Sequence, residues 1–379
     1  MAIYKKAILP LGFKANGIHS GIRKNGKLDL ALFYSLKPAK ASCLFTANSI
    51  LAAPVVVCKK YLKQAKTFQA IIANSGNANC FTGKQGLKDA YDMSCFAADD
   101  LGIEPKSVLV ASTGIIGKKL AIKEIKSGVP ILIKGLSQSG IDKAKKAIMT
   151  TDKFSKEITV KLNIGNKSIT ICGIAKGAGM ISPNMATMLC FIFTDANIKQ
   201  GALNAALKLA VDNSFNCITV DGCMSTNDSV MVLANGEAGN AEINGGENLK
   251  LFTKALSTVC LELAKMVVKD GEGATKFIQI NVNKAQSVSE ARSVAINIAN
   301  SPLFKTAMFA SSPNILGRIV AAVGASGAGV VEDKLEIKYS PLKKKEIRID
   351  VILNKGKNSA TVYTSDLSYE YVKINAEYN

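Results

Sequence analysis

The stretch "GMISPNMATMLCF", residues 179–191, decides how the rest of the chain is read. From Met188 to Phe193 the residues are apolar and β-prone without alternation, the pattern of a strand buried on both faces. A threonine entering such a strand, Thr187, is ordinary on propensity grounds. The segment before it, "AKGAGMISPNMA" (175–186), carries Gly177, Gly179, Pro183 and Asn184, and so reads as a loop with room for strained backbone. A hydroxyl at the end of a tight loop suits a nucleophile equally well, and the stretch alone leaves both readings open.

Composition narrows the classes. A chain of 379 residues is long enough for two domains. With 48% hydrophobic and 20% charged residues it is globular rather than disordered. No apolar run approaches the roughly 18 residues of a membrane span. The first residues, "MAIYKKAILPLGFKANGIHSG", break their apolar run at Pro10 and Gly12 and lack Arg, a poor match to signal or transit peptides. The expectation is a cytoplasmic protein. Nine scattered cysteines without a C-x-x-C pair support neither a zinc site nor a disulfide framework. The net charge of +19 raises nucleic-acid binding, but the lysines are dispersed, and neither aromatic interleaving nor a helix-turn-helix signature accompanies them. Neither nucleic acid nor membrane is expected as a partner. The single histidine, His19, limits any Ser-His or Cys-His mechanism to one residue near the N-terminus.

Helix and strand patterns are mixed throughout, giving an α/β or α+β class. "LDLALFYS" and "AAPVVVC" read as strands, and "FQAIIANSGNANCFTG" as a buried strand Phe68–Ala73 feeding a polar loop at 74–80. "KQGLKDAYDMSCFAADDLG" has helical spacing and closes at Gly102. "SVLVASTGIIG" repeats strand then turn, with Val108–Ala111 ahead of Ser112, Thr113 and Gly114. Loops at strand ends supply N–H groups suited to anions and oxyanions. Leu251, Ala255, Val259, Leu263 and Met266 mark a helix that Gly271 stops. "EIRIDVILNKGKNSATVYTSDL" reads as two strands around a turn, "CITV" as another strand, and a weak domain boundary falls near 280–300.

Seven stretches in order, "NSGNAN" (74–79), "ASTGIIG" (111–117), "IMTTD" (148–152), "AKGAGMISPNMATML" (175–189), "TVDGCMSTND" (219–228), "DGEGATK" (270–276) and "DLSYEYVKINAEY" (366–378), resemble the ornithine acetyltransferase, or glutamate N-acetyltransferase, family of arginine biosynthesis. The resemblance implies self-cleavage between Ala186 and Thr187 by attack of the Thr187 hydroxyl on the preceding carbonyl. It implies two chains, 1–186 and 187–379, interlaced in a two-domain fold and assembled as an α2β2 tetramer. Cleavage also answers the shortage of histidine. A free α-amino group has a pKa of about 7.7–8.0 and serves as base for its own hydroxyl. Lys176 nearby would favour the neutral amine.

By resemblance, Thr113 and Gly114 stabilise the tetrahedral oxyanion, and Thr150, Lys176, Thr187, Glu272 and Asn375 bind substrate. Lys176 suits an α-carboxylate, Glu272 the cationic end of ornithine. Asp221 and Asn227–Asp228 take either a functional role or that of an Asx-bonded turn. The implied reaction is a ping-pong transfer: N-acetylornithine acetylates Thr187 and leaves as ornithine, and glutamate takes the acetyl group. No metal or bound cofactor is implied, and some members of the family accept acetyl-CoA as donor. Two departures stand out. The chain has Asn379 where the family carries threonine after the last tyrosine. "SSPNILGRI" (311–319) replaces an Asp-Pro-Asn-Trp-Gly-Arg pattern, with Ser312 for the acid and no tryptophan, while Pro313, Asn314, Gly317 and Arg318 remain. Rival readings are a self-processing N-terminal-threonine hydrolase or aminopeptidase, with water as acceptor, and a basic nucleic-acid binder without chain cleavage.

Overall fold

The computed structural model describes residues 1–182 and 188–377. It divides into two units: Met1–Gly177, Thr187–Asn213 and Ser225–Leu263 form the first, and Ala178–Ala186, Ser214–Met224 and Ala264–Asn379 the second. Each unit therefore draws chain from both sides of Thr187, the interlacing expected of the two halves. Among the described residues no helix is long and apolar enough to cross a membrane.

Unit 1 contains strands β1 (Ala2–Tyr4), β2 (Phe13–Ile18), β3 (Leu30–Phe45), β4 (Phe68–Asn77), β5 (Val108–Ile115), β6 (Lys156–Ile164), β7 (Lys167–Lys176), β8 (Leu189–Thr194) and β9 (Ser229–Ala234). They form one sheet in the order β1-β6-β7-β8-β9-β3-β4-β5, with β2 added to β3. Five helices, α1 (Ala53–Gln64), α2 (Gly83–Leu101), α3 (Ile122–Lys134), α4 (Ile141–Ala147) and α5 (Gln200–Asp212), accompany it. α1 and α2 lie against β5, and α3 and α4 against β2 and β3.

β8 is buried at every residue and is an inner strand, pairing antiparallel with β7 on one side and parallel with β9 on the other. Phe191 and Phe193 project from the same face into an aromatic cluster. Phe191 lies 5.3 Å, centroid to centroid, from Phe33, and Phe193 lies 5.2 Å from Phe33 and 5.3 Å from Phe13. Aromatic burial of this kind fixes the strand that starts two residues after Thr187.

α6 (Gly246–Lys269) carries the division between units, at Leu263/Ala264. Its Val259 and Leu263 pack so closely on Gly173 of β7 that a Cβ there would lie 2.5 Å and 2.8 Å from them. Unit 2 holds β10 (Phe277–Ala285), β11 (Glu336–Tyr339), β12 (Glu346–Ile352) and β13 (Asn358–Ser365), in the order β11-β12-β10-β13. Helices α7 (Val288–Asn300), α8 (Pro302–Ala310), α9 (Ile315–Gly324) and α10 (Tyr369–Ala376) complete it. α7 packs on β10 and β13, and its Val294, Ala295 and Ile298 are fully buried with Ile278, Ile280 and Ile349.

Several readings of the sequence change. "AAPVVVC" opens a helix, not a strand: Pro54 sits in its first turn, and Ala53, Val57, Cys58 and Tyr61 recur on its buried face. The polar loop expected at 74–80 is strand to Asn77, and the turn expected at Ser112, Thr113 and Gly114 is strand too, because β5 runs on to Ile115 paired with β4. The two strands expected around "NKGKNS" are present as β12 and β13, with β10 between them, parallel to β12 and antiparallel to β13. "CITV" makes only an isolated bridge, Ile218 to Tyr363. The unit division also lies away from 280–300, a range that falls inside β10 and α7. A boundary there would cut the central strand of a sheet.

Candidate active site

In unit 1, β4 and β5 run parallel, with Asn74 opposite Ser112, Ser75 opposite Thr113 and Gly76 opposite Gly114. Asparagines of "NSGNAN" hold the turns that follow. Asn74 Nδ2 donates to Asn77 O at 2.9 Å, Asn77 Nδ2 to Lys119 O at 3.0 Å, and Asn79 Nδ2 to Gly86 O at 2.9 Å. Ser112 Oγ donates to Asn74 Oδ1 at 2.6 Å. Backbone groups that the ladder leaves over are thus satisfied by side chains, as burial demands. Gly114 has φ +136°, and a Cβ on it would overlap Gly76 and come within 2.5 Å of the Asn77 nitrogen. Glycine is required there for space as well as for conformation.

Lys176 ends β7 opposite Leu189 of β8, only 2% exposed, and its Nζ donates to Thr113 Oγ1 at 3.2 Å. An ammonium group has donors only, so the Thr113 hydroxyl accepts from Lys176 and keeps its own proton for another acceptor. A hydroxyl polarised in this way can donate to a developing oxyanion.

Asp152 anchors the cluster. Its Oδ1 accepts from Lys156 Nζ at 2.6 Å and from the Gly177 N–H at 2.7 Å, and its Oδ2 from the Thr150 N–H at 2.9 Å. The Asp152 and Lys156 side chains are both 0% exposed. Burial alone would raise the Asp152 pKa, but the ammonium groups of Lys176 and Lys156 and the Gly177 N–H outweigh it and hold the carboxyl well below its usual range. Thr150 and Asp152 line a cavity of about 600 Å3 together with Met149 and the basic side chains of Arg23, Lys27 and Lys146.

His19 stands apart from this cluster. Its Nδ1 lies 2.9 Å from Lys27 O and 3.2 Å from Asp29 Oδ2, in a turn where Asp29 also accepts the N–H groups of Ser20, Gly21 and Arg23.

Unit 2 brings Glu272 and Asn375 together. Asn375 Nδ2, on α10, donates to Glu272 Oε2 at 2.9 Å. Ser368 caps α10 and donates its hydroxyl to Gly273 O at 2.7 Å, tying the helix to the Glu272 loop. A Cβ at Gly179 would overlap the Glu272 carboxylate, which explains the glycine. Asp221 forms the expected Asx turn, accepting from the Cys223 N–H at 3.1 Å. It does more: its carboxylate also accepts the N–H groups of Met180 at 2.7 Å and Ile181 at 2.9 Å, and the Tyr371 hydroxyl at 3.2 Å. Met180 has φ +56°, so the loop ahead of Pro183 does carry a strained residue.

In unit 1 Lys176 links Thr113, with Gly114 next to it on β5, to the field of Asp152, which also holds Thr150; in unit 2 Glu272 meets Asn375. Thr187, Ala186, Pro183 and Asn184 lie outside the described residues. Asp152, Lys156 and Tyr371 were not singled out from sequence, although Asp152 closes the motif "IMTTD". In the altered "SSPNILGRI" stretch, Ser312 Oγ accepts the Asn314 N–H at 3.3 Å and Arg318 Nη1 donates to Leu303 O at 3.1 Å.

A sequence profile described as the ArgJ family matches residues 14–342 and 339–379. An "Arginine biosynthesis bifunctional protein ArgJ" of Geobacter sulfurreducens is 44% identical over 389 residues, covering 97% of this chain and 98% of its own. Its namesake from Dehalococcoides mccartyi is 46% identical over 392 residues, covering 97% and 96%. A crystal structure described as ornithine acetyltransferase complexed with ornithine, from Mycobacterium tuberculosis, is 34% identical over 48% of this chain and 97% of its own, with a TM-score of 0.45. With the profile spanning most of the chain and relatives matched nearly end to end, the chain belongs to the ArgJ family.

Proposed function

We propose that the chain is a self-processing acetyltransferase that moves an acetyl group from N2-acetylornithine to glutamate, with Thr187 as nucleophile. The names of its relatives place them in arginine biosynthesis, and the Mycobacterium tuberculosis protein is described with ornithine bound. One observation in the structure supports the chemistry above the rest: buried Lys176, which pairs across the ladder with Leu189 two residues beyond Thr187, donates to Thr113 near the end of β5.

After cleavage behind Ala186, the Thr187 amine takes the hydroxyl proton as Oγ attacks the acetyl carbonyl. Thr113 and Gly114 donate to the oxyanion. The amine passes the proton to the departing ornithine nitrogen, leaving an acetyl ester on Thr187. Glutamate's amine then attacks that ester, regenerating the hydroxyl. Each step needs only proton transfer and acyl exchange, so no metal or bound cofactor enters. Lys176 and Thr150 bind the substrate backbone, while Glu272 and Asn375 receive the side-chain amine of ornithine. The word "bifunctional" in the relatives' names fits acetyl-CoA as a second donor to the same threonine. Cytoplasmic location and an α2β2 assembly complete the reading.

The test is the intact mass of the purified protein under denaturing conditions, followed by transfer assays. Two fragments, 1–186 and 187–379, the second starting with free threonine, are expected, and a single uncut Thr187→Ala chain. An uncut, inactive parent refutes the mechanism. Cleaved protein that releases acetate at the same rate with and without glutamate identifies a hydrolase instead.

A further inference from the structure

The loop "TVDGCMSTND" contributes two buried residues that the chemistry above does not use, Asn227 at 6% and Asp228 at 0% exposure. Both act wholly within unit 1. Asn227 Nδ2 donates to Ser112 O at 2.8 Å and to Ala78 O at 2.6 Å. Its two amide protons are therefore spent on the residue immediately before Thr113 and on the loop that leaves β4. Thr226 Oγ1 donates to Asn227 Oδ1 at 2.6 Å, which fixes which way the amide faces. Asp228 Oδ1 accepts the N–H of Met188 at 2.8 Å, while the Ser229 N–H donates to Met188 O at 3.1 Å. The residue that follows Thr187 is thus gripped at both backbone groups. Asp228's own carbonyl accepts the Thr46 N–H at 3.0 Å, anchoring it to the end of β3.

An Asx turn accounts for none of these bonds. A turn closes on its own backbone within two or three residues, whereas Asn227 reaches 115 and 149 residues back along the chain and Asp228 reaches 40. The two adjacent side chains grip the two strand ends that the mechanism needs in register, the Thr113–Gly114 end of β5 and the entry to β8. Building on the acetyltransferase reading, we propose that Asn227 and Asp228 are positioning residues that hold the Thr113–Gly114 end of β5 and the nucleophile's strand at a fixed spacing. The carboxyl of Asp228 acts here as an acceptor for the Met188 N–H; burial pushes its pKa up, with that N–H and Lys176 offsetting part of the shift.

The experiment compares Asn227→Ala, Thr226→Val, Asp228→Ala and Asp228→Asn with the parent. It reads the fraction of cleaved chain by intact mass, the melting temperature, and kcat and KM for acetyl transfer. A misplacement near 1 Å costs roughly 10²-fold in rate. Asn227→Ala is expected to lose about that factor in kcat with KM within about threefold, and Thr226→Val, which removes only the orienting hydroxyl, about tenfold. Asp228→Ala accumulates uncut chain, and Asp228→Asn, which keeps the acceptor, restores cleavage.

If Asn227→Ala does not fold, Thr226→Val carries the test. A lowered melting temperature with unchanged kcat makes these residues structural and overturns the proposal. Failure of Asp228→Asn alongside Asp228→Ala overturns the acceptor role. Variants without effect on a cleaved, active parent overturn this proposal alone; an uncut, inactive parent overturns it together with the function it rests on.

Discussion

Replacing Asp152 by asparagine should be among the most costly single changes in unit 1, and the reason is electrostatic. Its carboxylate and the Lys156 ammonium are both fully buried at 2.6 Å. At an effective dielectric near 20, two unit charges at that distance attract by about 6 kcal/mol. Asparagine recovers part of the desolvation penalty of the carboxylate but leaves the Lys156 ammonium buried without its countercharge. Breaking a buried pair on one side typically costs about 3–5 kcal/mol. The Gly177 and Thr150 N–H groups, which now donate to the carboxylate at 2.7 Å and 2.9 Å, lose a charged acceptor as well. Lys156→Met should restore most of the loss, because an apolar side chain of similar length removes the stranded charge.

The assay is a double-mutant cycle by denaturant unfolding at pH 7, with a coupling energy of about 2–3 kcal/mol expected at the upper end of contacting pairs. The pair also sets a pH dependence. The Asp152 pKa is depressed in the folded state, so its contribution is fully present above the unfolded pKa near 3.9 and is lost as pH falls through the lower folded value. A cost below about 1 kcal/mol for Asp152→Asn would place the pair among solvated ion pairs and refute the reasoning.

Three further outcomes follow from other parts of the molecule. Burial lowers the Lys305 pKa from 10.5 to about 8, with Asp366 and Asp221 opposing the shift, so the folded state binds fewer protons than the unfolded between those values. Stability relative to Lys305→Met should therefore rise by about 3 kcal/mol from pH 8 to 10.5, and a flat difference in unfolding free energy would exclude a buried, depressed lysine. Gly114→Ala should destabilise by well over about 1 kcal/mol, because its Cβ meets the Gly76–Asn77 backbone at positive φ. Gly114→Val is for the same reason no clean probe of oxyanion stabilisation, and an unfolding midpoint unchanged by alanine would refute the overlap. Glu272→Gln keeps an acceptor for Asn375 Nδ2 but removes the charge, so KM for N-acetylornithine should rise about tenfold with kcat little changed, and unaltered KM would remove Glu272 from the substrate site.

What could be read from the sequence divides along physical lines. β8 was legible because continuous apolar residues have one common explanation in a large sheet. α2 was legible because its period is sustained and Gly102 ends it in the left-handed conformation, φ +66°. α1 was misread because three consecutive valines favour a strand locally, while Pro54 and the burial of Val57, Cys58 and Tyr61 favour a helix once the core is present. The placement of β10 between β12 and β13 is a long-range choice that no local turn signal encodes. The Asp152–Lys156 pair has a helical spacing but forms across the loop ahead of β6, so its burial had no sequence signature. Glu272 and Asn375, 103 residues apart, could be joined only through the family motifs.

Strands from both sides of Ala186 pair within unit 1, so a chain cut there as proposed would not come apart. In unit 1, β7 belongs to the segment before Ala186 and β8 to the segment after it, yet six residue pairs, from Ile171–Thr194 to Lys176–Leu189, join the two strands. β9, also beyond the cut, pairs with β3 from Lys40–Ala234 to Phe45–Ser229. Separating the proposed fragments means breaking both ladders and exposing Phe191 and Phe193, which are fully buried against Phe33 and Phe13. Losing one such aromatic contact set typically costs about 3–5 kcal/mol, so the frame holds after the peptide bond is gone. Cleavage as proposed then changes the chemistry at residue 187, from an amide nitrogen without basicity to an amine that titrates near neutral pH, while Lys176, Thr113, Asn227 and Asp228 keep the partners that the uncut chain gave them.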